Sequence, residues 1–137
     1  MTRNSREAGP GISVPADPRR RLGNLGERAA ERHLRAAGLT IVARGFRFRG
    51  GEIDLIARDG EELVFVEVKT RTSEDFGNPT ESVTRAKRRK LLQAASFYLQ
   101  SRGLMQQPCR FDVVAIRLGR DGISSLEHLQ DAFRSED

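Results

Sequence analysis

The clearest pattern along the chain is a pair of alternating segments on either side of Asp59-Gly60, a dipeptide typical of tight β-hairpin turns. In a strand, successive side chains point to opposite faces. On the second strand of this hairpin, residues 64, 66, 68 and 70 share a face that is formed by three valines and a threonine. The matching face of the first strand, at residues 53, 55 and 57, is also apolar. We therefore expect a sheet that is covered on both sides.

The other face of the hairpin combines an apolar floor with charged side chains. On the second strand it carries Glu67, Lys69 and Arg71. A two-residue turn pairs even with odd positions, so Asp54 is predicted to lie on the same face as Glu67 and Lys69. The predicted floor consists of Ile56, Leu63 and Phe65. Two carboxylates and a lysine would thus meet where burial is costly unless charges are paired or bind a metal.

The rest of the chain predicts two helices and further strands. Small and apolar residues at helical spacing predict a helix from Asn24 to Ala37, ended by Gly38. A second helix is predicted from about Thr84 to Arg102. Further strands are predicted at Thr40–Phe48, Arg110–Leu118 and Ile123–Leu129, with a loop over Thr72–Ser82. The order αβββαβ, with a crossover helix before the fourth strand, predicts an α/β fold with a mixed central sheet flanked by helices.

Length and charge indicate one domain with a basic surface. The 137 residues are sufficient for a single core, which we assign to residues 22–130. A disordered basic arm is predicted at 1–21 and a frayed tail at 131–137. The net charge of +5 favours an anionic partner such as nucleic acid, although a solvated basic face has the same composition. The arm either adds phosphate contacts or has no role in binding.

Cysteine usage and hydropathy narrow the class of protein further. Cys109 is the only cysteine, which excludes an intrachain disulfide and a cysteine-rich zinc site. No segment has the apolar length of a secretory signal or a transmembrane helix. We expect a cytoplasmic protein without membrane association.

Two polar residues of the first predicted helix have both structural and functional interpretations. Glu27 follows Asn24 by three residues, the spacing of a capping box. The same carboxylate flanks the buried stripe of the helix, from which it could point into a cleft. His33 lies on the stripe, where a satisfied core histidine is favoured over a metal ligand.

A cluster of cations opens the second predicted helix. Cations are unfavourable near a helix N-terminus, so the cluster indicates that an anion binds nearby, with long solvated side chains as the simpler alternative. Lys87 extends the buried stripe of the helix and is predicted to point toward the sheet. The candidates for binding nucleic acid are Arg71, Arg85, Lys87, Arg88 and Arg89.

The charged face of the hairpin has the composition of a site for metal-assisted phosphodiester hydrolysis. Asp54 and Glu67 would hold Mg²⁺ (or Mn²⁺), with the backbone carbonyl of Val68 as a third ligand. Lys69 would orient or help to deprotonate the attacking water and offset charge in the transition state. Glu27 could bind the same ion. The alternative, an exposed cross-strand ion pair of Glu67 and Lys69, is disfavoured by the apolar opposite face.

The segments that carry these residues resemble the YraN-like family of uncharacterised bacterial proteins. The resemblance rests on residues 51–59 (GEIDLIARD) and 64–71 (VFVEVKTR), together with residues 22–30 (LGNLGERAA), 76–79 (FGNP) and 110–116 (RFDVVAI). It covers roughly Leu22 to Leu129. That family is similar to the PD-(D/E)XK nuclease superfamily, which has a restriction-endonuclease-like fold, and its pattern is closest to archaeal Holliday-junction resolvases.

The resemblance implies roles for the acidic residues and a class of substrate. Asp54, Glu67 and Lys69 would be the signature residues of the superfamily, and Glu27 an additional acid of the site. Ile53 stands where the superfamily pattern has proline, which leaves the ligands in place. The implied protein is a homodimeric, Mg²⁺-dependent endonuclease for structured or branched DNA in repair or recombination. The alternatives are a nucleic-acid-binding module of the same fold with little or no catalysis, and a protein-interaction scaffold.

Overall fold

The sheet holds five strands and carries one helix on each face. The computed structural model describes residues 18–72 and 83–133, with side chains from Gly23 onward. The elements are α1 (Pro18–Ala36), β1 (Thr40–Phe48), β2 (Gly51–Asp59), β3 (Glu62–Thr72), α2 (Arg85–Ser101), β4 (Cys109–Gly119) and β5 (Gly122–Phe133). The strand order is β1-β2-β3-β4-β5, and β3 and β4 are parallel while the other pairs are antiparallel. The predicted α/β fold with a mixed sheet flanked by helices is confirmed.

Several predictions fall on residues outside these ranges. They are the basic arm up to residue 17, the loop over residues 73–82 and the tail at residues 134–137. The tail was predicted to begin at residue 131, but β5 continues to Phe133, whose side chain is buried. Phe133 stacks on Phe111 at 4.9 Å between ring centroids, which explains why the strand continues.

Burial on both faces of the sheet follows from the two helices. One apolar cluster joins α2 to residues such as Phe65 and Phe111, and the other joins α1 to residues such as Val64 and Val66. Residues 63–67 of β3 are all buried, as predicted for a strand with helices above and below it.

The first helix begins earlier than predicted. It starts at Pro18, a favourable first residue of a helix, so Asn24 lies inside α1 and is not its N-cap. The capping-box interpretation of Asn24 and Glu27 is therefore wrong, as is the assignment of residues 18–21 to the arm. The predicted end at Gly38 is confirmed: this glycine has φ 99°, and the Leu39 N–H donates to the Leu34 carbonyl at 2.9 Å.

Helix α1 lies very close to the sheet at Gly26. A Cβ atom at this position would lie 1.9 Å from Thr70 Oγ1 on β3. Only glycine allows this approach. The contact fixes the height of α1 over β3 and so determines where the next residue, Glu27, is placed.

Helix α2 follows the prediction closely. Thr84 caps its first turn, with Thr84 Oγ1 accepting from the Lys87 N–H at 3.2 Å, and Gly103 follows its end at φ 66°. The predicted inward stripe is buried at Leu91, Ala94, Ala95 and Tyr98.

The hairpin turn lies one residue later than predicted. Asp59 pairs with Glu62, so the two turn residues are Gly60 and Glu61. Gly60 has φ 63°, a backbone conformation that type II′ hairpin turns require at this position. The predicted even–odd pairing is unchanged by the shift, and it places Asp54 opposite Glu67 in the register that continues from Leu55↔Val66.

Strands β2 and β3 separate just after this hairpin. They pair only between Asp59↔Glu62 and Leu55↔Val66. Beyond that point β2 stays with β1, and β3 stays with β4. We call this separation the fork; Asp54 and Glu67 are the first residues of the two strands inside it.

The fork changes which way Ile53 points. It was predicted to share a face with Leu55, but it packs with Ile56 in the cluster under α2. The physical reason is a distortion in both strands, because Gly45 at φ 61° and Asp54 lie opposite each other between paired residues. The side chains of β2 no longer alternate strictly at Asp54. Ile53 therefore joins Ile56, Leu63 and Phe65 on the face that is covered by α2.

A buried ionic cluster lies on β4, where Asp112 pairs with Val66 of β3. Asp112 on β4 has no exposed surface. Arg110 Nε lies 3.0 Å from Asp112 Oδ1, and His128 Nε2 lies 2.8 Å from Asp112 Oδ2. A bulge in β5 leaves Asp131 at φ 52° and lets its N–H donate to Asp112 Oδ1 at 3.0 Å. Although burial alone raises the pKa of the Asp112 carboxyl, these hydrogen bonds outweigh it and lower the pKa.

We predict that Asp112→Ala lowers the free energy of unfolding by about 3 kcal/mol, because removing one partner leaves Arg110 and His128 without their shared carboxylate. The measurement is urea denaturation near neutral pH. Glu127→Ala, on the exposed face of the same region, is the matched control and should change stability by less than about 0.5 kcal/mol.

The difference in free energy of unfolding between wild type and Asp112→Ala should also depend on pH. The pKa of Asp112 is lower in the folded state than its ordinary value of 3.8, so its stabilisation is complete above that value. It is lost as pH falls through the folded pKa. An Asp112→Ala protein that is as stable as wild type at neutral pH would contradict this account.

Candidate active site

The fork brings Asp54 and Glu67 together at one end of the β2–β3 ladder. The Val68 N–H points toward β2 and donates to Asp54 Oδ2 at 2.8 Å. This bond holds the Asp54 carboxylate beside β3 and satisfies a backbone donor that the missing strand pairing would otherwise leave unpaired. The predicted meeting of Asp54 with Glu67 is thus explained by a side-chain bridge across the fork.

Glu67 is the buried acid of the site. Only 5% of the residue is exposed, and two lysines contact one of its oxygens. Lys69 Nζ lies 3.5 Å and Lys87 Nζ lies 2.6 Å from Glu67 Oε2. The prediction that Lys87 points from α2 toward the sheet agrees with this contact. The short charge-assisted bond from Lys87 compensates much of the cost of burying Glu67.

Asp54 carries an unfavourable electrostatic environment. Burial and the nearby Glu67 raise the pKa of its carboxyl, and Glu27 and Glu52 add to the effect. The hydrogen bond from Val68 acts in the opposite direction, and the resulting pKa is about 7. Around Asp54, the negative charge of the carboxylates therefore exceeds the positive charge that the two lysines supply.

The two lysines respond to Glu67 in different ways. Burial and the neighbouring Lys87 lower the pKa of Lys69. Burial acts to lower the pKa of Lys87 too, but its hydrogen bonds to Glu67 and Lys69 and the charges of Glu67 and Asp54 together outweigh burial and raise the pKa. Lys69 is therefore the easier of the two to deprotonate, which suits a group that exchanges a proton with water.

Glu27 lies at the edge of this acidic group. Burial raises the pKa of its carboxyl, followed by the charges of Glu52 and Glu67. Within residues 18–72 and 83–133, no three His, Cys, Asp or Glu side chains are grouped so as to hold a metal ion. Binding of one ion by Asp54, Glu67 and Glu27 together would require their side chains to move.

A cavity of about 260 Å³ opens onto Asp54 and Glu67. Its wall is formed by β2, by α2 and by the turn between β1 and β2. The residues that line it are Gly50, Gly51, Glu52, Asp54, Glu67, Lys87, Lys90 and Leu91. Glu52 lies at the rim, where its carboxylate is 3.4 Å from Arg47 Nε. The cavity gives an anionic ligand access to Lys87, which contacts Glu67, and to Lys90.

The basic residues predicted to bind nucleic acid are spread over several surfaces. Arg71 lines a separate cavity of about 150 Å³ together with Lys69 and Arg117. Arg85 is exposed in the first turn of α2. Arg88 is engaged within the fold, since its Nε donates to the Val83 carbonyl at 3.2 Å and its guanidinium lies over Phe133. Arg89 lines a third cavity on the outer side of α2.

Sequence reasoning missed two features near the site. Arg117 joins Lys69 and Arg71 because β4 runs parallel to β3, a pairing that brings Arg71 opposite Arg117. Phe48 and Phe97 stack beside the turn between β1 and β2, although they are distant in sequence. Phe48 is next to Arg49 in the sequence, but no local pattern pairs its ring with that of Phe97.

Comparison with known proteins identifies relatives across most of the chain. The model of "Uncharacterised protein family UPF0102" matches residues 26–116. The UPF0102 protein of Symbiobacterium thermophilum is 53% identical over 116 residues, covering 85% of this chain and 98% of that protein. The UPF0102 protein of Hahella chejuensis is 48% identical over 112 residues, covering 82% of this chain and 89% of that protein. The UPF0102 protein of Moorella thermoacetica is 48% identical over 116 residues, covering 84% of this chain and 97% of that protein.

The matched region includes every acid and lysine of the site described above. In the part of the chain that the structure describes, neither helix is long and apolar enough to cross a membrane.

We predict that Asp54→Asn makes the metal-free protein more stable at alkaline pH. The pKa of Asp54 is raised from 3.8 to about 7 on folding, so wild-type stability falls as pH rises between these values. Asparagine stays neutral and can still accept the Val68 N–H. The variant should match wild type near pH 4 and exceed it by about 1–3 kcal/mol near pH 8. Urea denaturation in a chelator at several pH values measures this.

Glu61→Gln, in the exposed hairpin turn, provides the control for loss of a carboxylate. If Asp54→Asn and wild type lose stability in parallel between the two pH values, the acidic repulsion at the fork is not what the geometry indicates.

Proposed function

The chain belongs to the uncharacterised protein family UPF0102, and from its site we propose that it is a divalent-metal-dependent endonuclease that hydrolyses phosphodiester bonds in DNA. The observation that carries the proposal is the fork, which sets Asp54 and Glu67 side by side with Lys69 against Glu67. A buried carboxylate and a half-buried one that open onto a cavity, with a lysine beside them, suit phosphoryl chemistry better than they suit structural stability.

The donor set fits a hard divalent cation such as Mg²⁺ or Mn²⁺. Its fit is supported by the raised pKa of Asp54, which reflects carboxylate charges that a cation would offset. Asp54, Glu67 and the carbonyl of Val68 would hold the ion, with Glu27 as an additional acid. When bound, the ion would polarise a phosphate oxygen and make a water molecule more acidic.

The chain's own groups have separate roles in this proposal. The Val68 N–H fixes the orientation of the Asp54 carboxylate. Lys69, with its lowered pKa, would take up or position the proton of the attacking water. Lys87 would neutralise negative charge on the scissile phosphate from the opposite wall of the cavity.

Branched or junction DNA is the substrate class that we propose. Two lines of support are the resemblance of the motifs to junction resolvases and the cations of α2. The helix sequence RAKRRKLLQAASFYLQS carries five lysines and arginines in its first turns and no acidic residue. Two of them, Lys87 and Lys90, line the cavity and would attract phosphate groups without reading bases. A homodimer would match a two-fold related junction.

A binding module with little or no catalysis is the second candidate. It is favoured by the position of Lys87, whose ammonium lies 2.6 Å from Glu67 Oε2 and occupies space beside a proposed metal ligand. If Lys87 keeps this position in the presence of metal, nucleic acid could bind while Glu67 remains engaged. Metal binding and cleavage therefore have to be measured separately.

We predict that Glu67→Gln and Lys69→Met each lower the rate of DNA cleavage at least about 100-fold, because each removes a group that acts at the reacting phosphate. The assay uses linear, nicked and four-way DNA with Mg²⁺ or Mn²⁺. Glu61→Gln and Arg120→Gln, which alter exposed turns, should cleave at the wild-type rate.

Isothermal titration of Mn²⁺ into wild type, Asp54→Asn and Glu67→Gln reports metal binding independently. The nuclease proposal requires binding that both substitutions weaken. Salt-dependent DNA binding without cleavage by wild type, unchanged in Glu67→Gln, would support the binding module instead.

A further inference from the structure

The cavity that Arg89 lines is a groove along the outer side of α2, next to the site. Its volume is about 430 Å³, and it lies between α2 and the end of β1. The residues that line it are Phe48, Arg49, Arg89, Leu92, Gln93, Ser96, Phe97 and Gln100. We call it the aromatic groove. It has no part in the chemistry proposed for Asp54 and Glu67.

Two stacked rings form its apolar wall. The ring centroids of Phe48 and Phe97 are 4.3 Å apart with an interplanar angle of 13°. Phe97 is 41% exposed, a high value for a large apolar side chain that already contacts another ring. The guanidinium of Arg49 lies 5.3 Å from the centroid of Phe48. The wall thus combines aromatic surface with a cation that is able to pair with a phosphate or to stack on a base.

The charge of the groove selects an anionic ligand. Arg49 and Arg89 supply two guanidinium groups, and none of the described residues that line the groove is acidic. The polar side chains between them are neutral amides and a hydroxyl, which can accept and donate hydrogen bonds. An anionic ligand with flat apolar groups is complementary to this surface.

The groove and the site lie on either side of the turn between β1 and β2. Gly51 lies against α2 so closely that a Cβ atom there would be 2.8 Å from the Lys90 carbonyl oxygen. Arg89 lines the groove, and the next residue, Lys90, lines the cavity that holds Asp54 and Glu67. A flexible chain that lies in the groove would therefore lead over this turn toward the acidic site.

We propose that the aromatic groove binds an unpaired, single-stranded segment of nucleic acid, with a base against the Phe48–Phe97 wall and phosphates against Arg49 and Arg89. The choice of nucleic acid rests on the proposed function. Bases within a duplex already stack on their neighbours, so only an unpaired base offers a free face to an aromatic side chain. The protein then favours substrates in which a single-stranded arm adjoins the phosphate to be cleaved.

Binding is measured in a chelator, so that no cleavage takes place. Fluorescence anisotropy compares a labelled oligothymidine of about 12 nucleotides with a duplex of the same length. Wild type should bind the single strand more tightly. Phe97→Leu should weaken single-strand binding about 5- to 30-fold, the effect of losing one stacked base, and duplex binding less than about twofold. Phe97→Trp keeps a ring and should bind within about threefold of wild type.

Controls separate stacking from stability and from charge. Ile123→Ala removes an apolar side chain of the same 41% exposure at the opposite edge of the sheet and should leave binding unchanged. Arg89→Gln should lower the salt dependence of single-strand binding relative to Arg120→Gln, because one phosphate contact is lost. Thermal unfolding of each variant confirms that it is folded.

Each result supports or overturns the inference. An unchanged affinity of Phe97→Leu for the single strand, or an equal loss for single strand and duplex, overturns it. So does a dimer in sedimentation that Phe97→Leu converts to a monomer with DNA binding intact, since the groove would then bind a second copy of the chain. Phe97-dependent binding without cleavage by wild type leaves the inference standing and removes the nuclease proposal. If cleavage needs Glu67 but Phe97→Leu does not change binding, the nuclease proposal stands and the inference about the aromatic groove is removed.

Discussion

The hydrogen bond between the Val68 N–H and Asp54 Oδ2 is the contact on which the candidate site depends. Two neighbouring strands can separate inside a covered sheet only if their backbone groups find other partners. Here a carboxylate from one strand takes the place of a backbone carbonyl, so the strands part without leaving this donor unsatisfied. The space opened in this way is where Glu67 and both lysines meet.

The electrostatics of the fork are unbalanced in a way that a purely structural ion cluster would not require. On the neighbouring strand β4, Asp112 is surrounded by donors, and its pKa is lowered despite complete burial. Asp54 lies near three other carboxylates, and its pKa is raised. The same residue type is therefore stabilised as an anion on β4 and destabilised on β2, and only the second arrangement leaves room for an additional cation.

Local sequence patterns were enough for the elements that depend on local rules. The bounds of β1, the cap of α2 and the shared face of Asp54 and Glu67 follow from alternation, capping and turn parity. The fork was not predictable, because a period-two pattern assumes that both strands stay regular. Gly45 and Asp54 break that regularity together, which turns Ile53 to the other face. Long-range contacts such as Phe48 with Phe97 have no local signature at all.

None of the described strands pairs with the outer edge of β1, and this edge has a consequence for assembly. A bulge between Ile41 and Ala43 and the left-handed backbone at Gly45 interrupt its outer row of backbone groups, and Arg44 and Arg47 project from the same strand. Irregular, charged edges of this kind resist the addition of another strand. Two copies of the chain therefore have no regular template here for joining their sheets into one, and growth of a continuous β-ribbon through this edge is blocked by its geometry.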